Sequence, residues 1–105
     1  MQGFQLTFYT QQDRKHRHTP LGEWLVHAAI QLGISGATLT VAAEGFGRGR
    51  KLHFAHFFDL TDQPVQVTMA VSEQQAERLF ELLKVEGVKV FYVKMPIEFG
   101  VTGAS

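Results

Sequence analysis

Glycines alternate with larger residues in a short basic segment near the middle of the chain. Residues 45–51 read Gly-Phe-Gly-Arg-Gly-Arg-Lys. Accessible backbone amides beside guanidinium groups are the donors that an anionic ligand requires. The alternative is a surface loop with solvated charges, because short glycine motifs match many unrelated segments. The candidate anion-binding residues of the segment are Gly45, Gly47, Arg48, Gly49 and Arg50.

A second basic cluster lies earlier in the chain, in another predicted loop. It consists of Arg14, Lys15 and Arg17, and with the three cations of 48–51 it accounts for six of the ten Lys and Arg residues. Ten acidic residues balance these cations, so the chain as a whole is not predicted to bind polyanions. The two loops could instead converge on one small anion.

The five histidines raise the question of a metal site. His16 and His18 lie in a predicted loop, whereas His53 and His56 would point to opposite faces of a strand. Histidine-rich loops are more often solvated than metal-bound, so the sequence alone favours no metal site.

Residues for catalysis are sparse. The chain has no cysteine, which excludes disulfides, thiolate nucleophiles and Cys-type zinc sites. It also lacks a nucleophile-elbow motif and a suitably spaced pair of carboxylates. Glu44 is the acid beside the glycine segment, and capping of a backbone amide is its simpler role. We therefore expect a protein that binds rather than turns over a substrate.

Alternation and helical spacing predict two successive β-α-β units. Ser72 and Gln75 form a capping-box pattern before a helix whose buried stripe is Ala76, Leu79, Phe80 and Leu83. The predicted elements are a strand over 4–9, a helix with Thr19 as N-cap and Pro20 as first residue that runs to Gly33, a strand over 37–44, a strand through 52–60, a turn over 61–64, a strand over 65–71, a helix from Ser72 that ends at Gly87, and a strand over 88–95.

This order predicts one α+β domain over residues 1–105 with the ferredoxin-like βαββαβ pattern. Both helices must then cover one face of the sheet. The last predicted strand is apolar on both parities, so the second sheet face must be hidden, and we expect an oligomer. The enzyme alternative is a small ferredoxin-like dimer with an enclosed apolar pocket in each subunit. The predicted strands are nearly uncharged, so no nucleic acid partner is expected.

Several motifs resemble those of an uncharacterised PII-like family related to PII signalling proteins and CutA. These are Pro20-Leu21, the Gly-Ile-Ser-Gly-Ala-Thr run of 33–38, Glu-Gly-Phe-Gly at 44–47, His53, Pro64-Val65 and Ser72-Glu73. The resemblance covers roughly residues 4–95. It implies a homotrimer, with 46–52 as a shortened T-loop, and a regulatory role toward a protein partner such as a membrane transporter or channel. The CutA relationship implies a metal-binding trimer as the alternative function.

The resemblance also implies a ligand, an adenine nucleotide held in a cleft between subunits. Gly36 and Thr38 match positions near the base and ribose, while Gly45, Gly47, Arg48 and Gly49 match the turn near the phosphates, with Arg50 as a further cation. The chain departs from PII proteins at two places. Residues 84–87 are only Lys-Val-Glu-Gly where those proteins have a glycine- and lysine-rich phosphate loop, and 96–100 lack their arginines. A monophosphate, a cyclic nucleotide or another small anion is therefore expected rather than a triphosphate.

The chain contains no run of about eighteen apolar residues that could span a membrane. Residues 1–5 also lack the charged and apolar regions of a signal peptide. We therefore expect a cytoplasmic protein.

Overall fold

The computed structural model describes residues 1–42, 44–46, 52–54 and 63–103. In chain order the elements are β1 (Gln2–Gln11), β2 (Lys15–His16), β3 (Thr19–Pro20), α1 (Leu21–Gln31), β4 (Ala37–Val41), β5 (Glu44–Phe46), β6 (Leu52–Phe54), β7 (Pro64–Val71), α2 (Glu73–Glu86) and β8 (Phe91–Glu98).

Four strands form one antiparallel sheet in the order β4-β7-β1-β8. In the register of the central strand, Leu6 lies opposite Met69 of β7 and Lys94 of β8. Two short hairpins, β2–β3 and β5–β6, stand outside this sheet. The strand order and the two intervening helices confirm the predicted ferredoxin-like α+β fold.

The core lies between the two helices and one face of the sheet. Leu6 and Phe8 of β1, Val67 of β7, Leu25 of α1 and Leu79 of α2 are all fully buried. Strict alternation along β7 sends every second side chain into this layer. Each fully buried side chain of this kind contributes about 1.5–3 kcal/mol. The predicted stripe of α2 is confirmed, with Phe80 partly buried beside its buried neighbours.

The first helix begins one residue later than predicted. Pro20 is the N-cap, with φ −51° and ψ 133°, and it makes no side-chain capping bond. Thr19 does not cap the helix because it pairs with His16 in the β2–β3 hairpin. The free amide of Leu21 instead donates to the carbonyl oxygen of Arg14 at 2.8 Å, which satisfies one donor of the first turn.

The last strand begins at Phe91, not at Val88 as predicted, and it continues to Glu98. The end of α2 explains the shift. Gly87 adopts φ +69°, and the amide of Val88 donates to the Leu83 carbonyl oxygen at 2.9 Å. This C-cap uses the backbone that would have started the strand, and Val88 packs against the core instead.

The strand predicted over 37–44 is divided in two. β4 ends at Val41, and Glu44 begins β5, which pairs with β6 as a separate ribbon. Of the strand predicted over 52–60, residues 52–54 form β6, and residues 55–60 lie outside the described part of the chain.

The sheet face turned away from the helices, here called the open sheet face, is exposed along β8, whereas Thr7 on the central strand is only 6% exposed. In β8, Val93 pairs with Thr7, whose side chain points opposite to those of Leu6 and Phe8. Phe91, Val93 and Met95 are therefore apolar and exposed on this open face. Tyr92, of the other parity, contacts Phe80 with ring centroids 4.8 Å apart. The parity of Phe91, Val93 and Met95 is apolar, as the sequence predicts. The other parity of β8 is mixed, because Val88 and Val90 precede the strand and Lys94 follows Tyr92 on it.

Candidate anion-binding site at one end of the sheet

Both predicted basic segments leave the sheet at the same end. β1 and β4 are each antiparallel to β7, so they run in the same direction and their carboxyl ends lie at one edge. The β2–β3 hairpin follows β1, and the β5–β6 ribbon follows β4. Because one strand lies between them, β1 and β4 are about 10 Å apart. We call this edge, with the turn that precedes β8, the basic end of the sheet.

Backbone hydrogen bonds fix where the two segments depart. The amide of Ala42 donates to the Pro64 carbonyl oxygen at 2.8 Å, and the amide of Gln12 donates to the Gln63 carbonyl oxygen at 2.9 Å. These bonds extend the pairing with β7 beyond both neighbouring strands. The start of each basic segment is therefore anchored to the same short stretch of chain.

The predicted ligand residues divide into three groups. Gly45 lies in β5, opposite His53 of β6. Gly47, Arg48, Gly49 and Arg50 lie outside the described residues. Gly36 and Thr38 are exposed at the other end of β4, where Thr38 pairs with Thr68. About 17 Å of strand separates Gly36 from Val41, so one chain does not bring Gly36 to its own basic end.

The β2–β3 hairpin is fastened to the end of α2 by a carboxylate that sequence reasoning missed. Glu86 Oε1 lies 2.8 Å from His16 Nε2 and accepts a hydrogen bond of 2.7 Å from Arg17 Nε. Arg17 Nη2 donates to the other carboxylate oxygen at 3.3 Å. The Arg14 guanidinium also donates to the carbonyl oxygen of Lys89, in the turn before β8. Hairpin and turn are thus joined at the basic end.

The same contacts set the protonation of Glu86. The hydrogen bond with His16, then the one from Arg17, hold the pKa of the Glu86 carboxyl below its ordinary value of 4.5. Hydrogen bonds to the charged form favour that form, so Glu86 is an anion at neutral pH. An acid at the end of a helix opposes the helix dipole, and this was the sequence signal that could have identified Glu86 as a paired residue.

The turn of the hairpin has an unusual backbone. Arg17 and His18 have φ values of +51° and +68°, a left-handed pair that matches the primed two-residue hairpin turns. Such turns usually contain glycine or asparagine. His16, at the base of the turn, places its ring 4.9 Å from the indole of Trp24 in an edge-to-face arrangement.

The metal alternative requires a cluster of ligating side chains. Among residues 1–42, 44–46, 52–54 and 63–103, no three His, Cys, Asp or Glu side chains are grouped as metal ligands. His16 is engaged with Glu86. His56 lies outside the described residues, so its predicted orientation relative to His53 stays a prediction.

A surface groove runs beside the turn that precedes β8. It has a volume of about 340 Å³ and is open to solvent along its length. Its lining is apolar, with lysines at two positions: Phe80, Leu83, Lys84, Val88, Lys89, Val90 and Tyr92. The enzyme alternative, which requires an enclosed apolar pocket in each subunit, stays a prediction.

The sequence is similar to a known protein family and to one of its relatives. Residues 3–91 match the family described as "DUF190: Uncharacterized ACR, COG1993". A UPF0166 protein from Aquifex aeolicus (strain VF5) is 27% identical over 97 residues, which cover 84% of this chain and 92% of that protein. Neither helix in the described residues is long and apolar enough to cross a membrane.

Solved structures with the same fold include PII-like proteins. One is CPII from Thiomonas intermedia K12, a nitrogen regulatory PII-like protein bound to ADP, AMP and bicarbonate. It superposes with a TM-score of 0.70 at 18% identity, and the match covers 96% of this chain and 91% of CPII. A putative PII-like signaling protein from Thermus thermophilus gives a TM-score of 0.68 at 22% identity, covering 92% and 88% of the two chains. At these identities the likeness shows the fold.

Proposed function

This chain belongs to the DUF190 family, and we propose that it is a PII-like regulatory protein that binds a small adenine nucleotide or similar anion between subunits. The observation that carries the proposal is the convergence of the β2–β3 hairpin, the β5–β6 ribbon and the turn before β8 at one end of the sheet. The binding of ADP, AMP and bicarbonate by CPII, which shares the fold, supports a ligand of this class.

The position of Gly36 and Thr38 supports a site built from more than one chain. Both are exposed at the start of β4, and from Val41 at its basic end Gly36 is about 17 Å and Thr38 about 10 Å of strand away. A neighbouring subunit can supply Gly36 and Thr38 to a ligand whose phosphate lies against Gly45, Gly47, Arg48, Gly49 and Arg50. The proposed assembly is a homotrimer, by analogy with PII proteins, and the exposed Phe91, Val93 and Met95 are the surface that it would cover.

The charges at the basic end support a small ligand. Glu86 pairs with the Arg17 guanidinium there, which lowers the net positive charge that a triphosphate would meet. Residues 96–100 contribute no Lys or Arg. AMP, ADP, a cyclic nucleotide or bicarbonate fits this charge balance better than ATP does.

In this proposal the protein acts by binding and not by turnover. The segment 45–51 would change its order when a ligand or partner arrives, as switch loops do in other regulators. The partner is proposed to be a membrane transporter or channel, by analogy with PII proteins, and the protein would meet it from the cytoplasm.

A thermal-shift panel tests the proposal. AMP, ADP, ATP, cyclic AMP and bicarbonate are each added up to millimolar concentration, with adenosine and sodium chloride as controls. A ligand at 100 times its Kd stabilises the folded state by about 2.7 kcal/mol, which raises the melting temperature by several degrees. We expect AMP or a cyclic nucleotide to do so at least as well as ATP. A panel in which no nucleotide raises the melting temperature would overturn the proposal.

A further inference from the structure

The carboxylate of Glu86 occupies a small cradle of donors on the β2–β3 hairpin. Arg17 donates through two nitrogens to the two carboxylate oxygens, at 2.7 and 3.3 Å, and His16 Nε2 lies 2.8 Å from the first oxygen. A forked guanidinium with a second nitrogen donor is the arrangement that proteins use to bind carboxylates and phosphates. Glu86 is therefore placed where an external oxyanion would be bound.

Glu86 is not stabilised by its own helix. It is the last residue of α2, where the helix dipole disfavours negative charge. The contacts from His16 and Arg17 supply the compensation, and the lowered pKa of Glu86 reflects them. A carboxylate held mainly by nitrogen donors of a distant segment can be exchanged for another anion without loss of the helix.

The cradle is accessible, and the hairpin has a second attachment. The Arg17 side chain is 71% exposed, compared with 19% for Glu86. At the base of the hairpin, the carbonyl oxygen of Arg14 accepts from the Leu21 amide, and the Arg14 guanidinium donates to the Lys89 carbonyl oxygen. The tip can therefore release Glu86 while its base stays attached to the fold.

We propose that Glu86 is an internal competitor at an anion site formed by His16 and Arg17. A small oxyanion from solution displaces the Glu86 carboxylate and frees the tip of the hairpin from α2. The ligand chemistry is a tetrahedral or planar oxyanion, supplied either by a free anion or by the phosphate of a nucleotide. Displacement of Glu86 by an oxyanion does not depend on the proposed function. Any effect of this displacement on nucleotide binding rests on the proposed function.

Trp24 provides a direct readout. It is the single tryptophan of the chain, and its indole lies against the His16 ring. Its fluorescence is titrated with inorganic phosphate at constant ionic strength, in the wild type, in Glu86→Gln and in Arg17→Gln. Removing the internal carboxylate should tighten phosphate binding at least fivefold, and removing the guanidinium should weaken it at least tenfold. Glu73→Gln, at the other end of α2, is the matched control and should behave as the wild type.

A second measurement needs no variant. In the wild type, the NMR signal of the Arg17 side-chain Nε–H should shift on addition of phosphate but not of equal chloride. Equal phosphate affinities in the wild type and Glu86→Gln, unchanged binding in Arg17→Gln, or a silent Arg17 signal would each overturn the proposal.

Adenosine and AMP arms separate this inference from the proposed function. One outcome is a fluorescence response to phosphate that depends on Arg17 and Glu86, with a response to AMP that is no larger. This outcome supports the exchange and counts against nucleotide binding. Binding of AMP that Glu86→Gln leaves unchanged, with no phosphate response, supports nucleotide binding and overturns the exchange.

Discussion

The side-chain amide of Gln75 donates a hydrogen bond of 3.0 Å to the backbone carbonyl oxygen of Gly33. Gln75 also forms the capping box with Ser72, in which Ser72 Oγ accepts from the Gln75 amide and Gln75 Oε1 accepts from the Ser72 amide. One side chain thus caps α2 and holds the turn that leads from α1 into β4. Because this turn contains Gly36 and leads to Thr38 of β4, the contact helps to position the candidate ligand residues.

Gln75→Ala should lower the free energy of unfolding by about 1–2 kcal/mol, because it removes the return bond of the capping box and the bond to Gly33. Gln74→Ala, at the exposed neighbouring position, should change it by less than about 0.5 kcal/mol. Urea unfolding of the two variants and the wild type measures both values. Equal effects of the two substitutions would contradict a specific role for Gln75.

Two glycines on the sheet are expected to respond in opposite ways to alanine. At Gly3 an added Cβ would lie 2.1 Å from the Val71 carbonyl oxygen, whereas at Gly36 it would meet nothing within 4 Å. Gly3→Ala should cost about 1–3 kcal/mol through overpacking. Gly36→Ala should leave thermal unfolding unchanged but weaken AMP binding, measured by calorimetry. A loss of stability at Gly36 with unaltered AMP affinity would be the opposite of this expectation.

The elements with strong local signals were predicted correctly from the sequence. The alternation of β7 and the capping box of α2 each involve residues a few positions apart. The start of α1 was predicted wrongly because a hairpin attached to a distant helix precedes it. Thr19 pairs within a hairpin that is fastened to α2, so it could not serve as the cap of α1.

The candidate site was predicted only in part, for the same physical reason. The glycine and arginine pattern of 45–51 is local and can be recognised in the sequence. The predicted strand order also indicates that the segment begins at the basic end of the sheet. The contacts of Glu86 with His16 and Arg17 join positions 70 and 69 residues apart, which no local spacing reveals. The distance of Gly36 from the basic end likewise depends on the direction of β4 in the folded sheet.

Acid should weaken the contact of Glu86 with the hairpin. Its folded-state pKa is lowered, so its contribution to stability is present above its ordinary value of 4.5 and is lost as the pH falls through the folded value. The wild type should therefore be more stable than Glu86→Gln at pH 7, and the difference should shrink below pH 4.5. Thermal unfolding across this range, with the exposed Glu77→Gln as control, measures it. A difference that stays constant with pH would exclude Glu86 as the titrating group.

The open sheet face should carry the subunit contacts. Val93→Glu places a charge at the centre of the exposed apolar surface of β8, and burial of an unpaired charge is costly, so the assembly should dissociate. Ile30→Glu, at a residue of α1 that is 68% exposed, is the matched control and should leave the assembly intact. Light scattering at micromolar concentration should give a trimer for the wild type and Ile30→Glu. A monomeric wild type would remove the proposed inter-subunit site.

Arg48 should contribute most directly to the affinity for a nucleotide phosphate. A charge-assisted hydrogen bond is worth about 1.5–3 kcal/mol, so Arg48→Ala should weaken AMP binding roughly ten- to a hundredfold without lowering the melting temperature. Arg78→Ala, an exposed cation on α2, removes the same charge elsewhere and should change the affinity little. Calorimetric titration with AMP and ATP compares the variants. Equal losses of AMP affinity in Arg48→Ala and Arg78→Ala would indicate general electrostatic attraction. Much tighter binding of ATP than of AMP would show that other cations complete the site. Unequal losses with similar AMP and ATP affinities are expected if the segment 45–51 binds a single phosphate group.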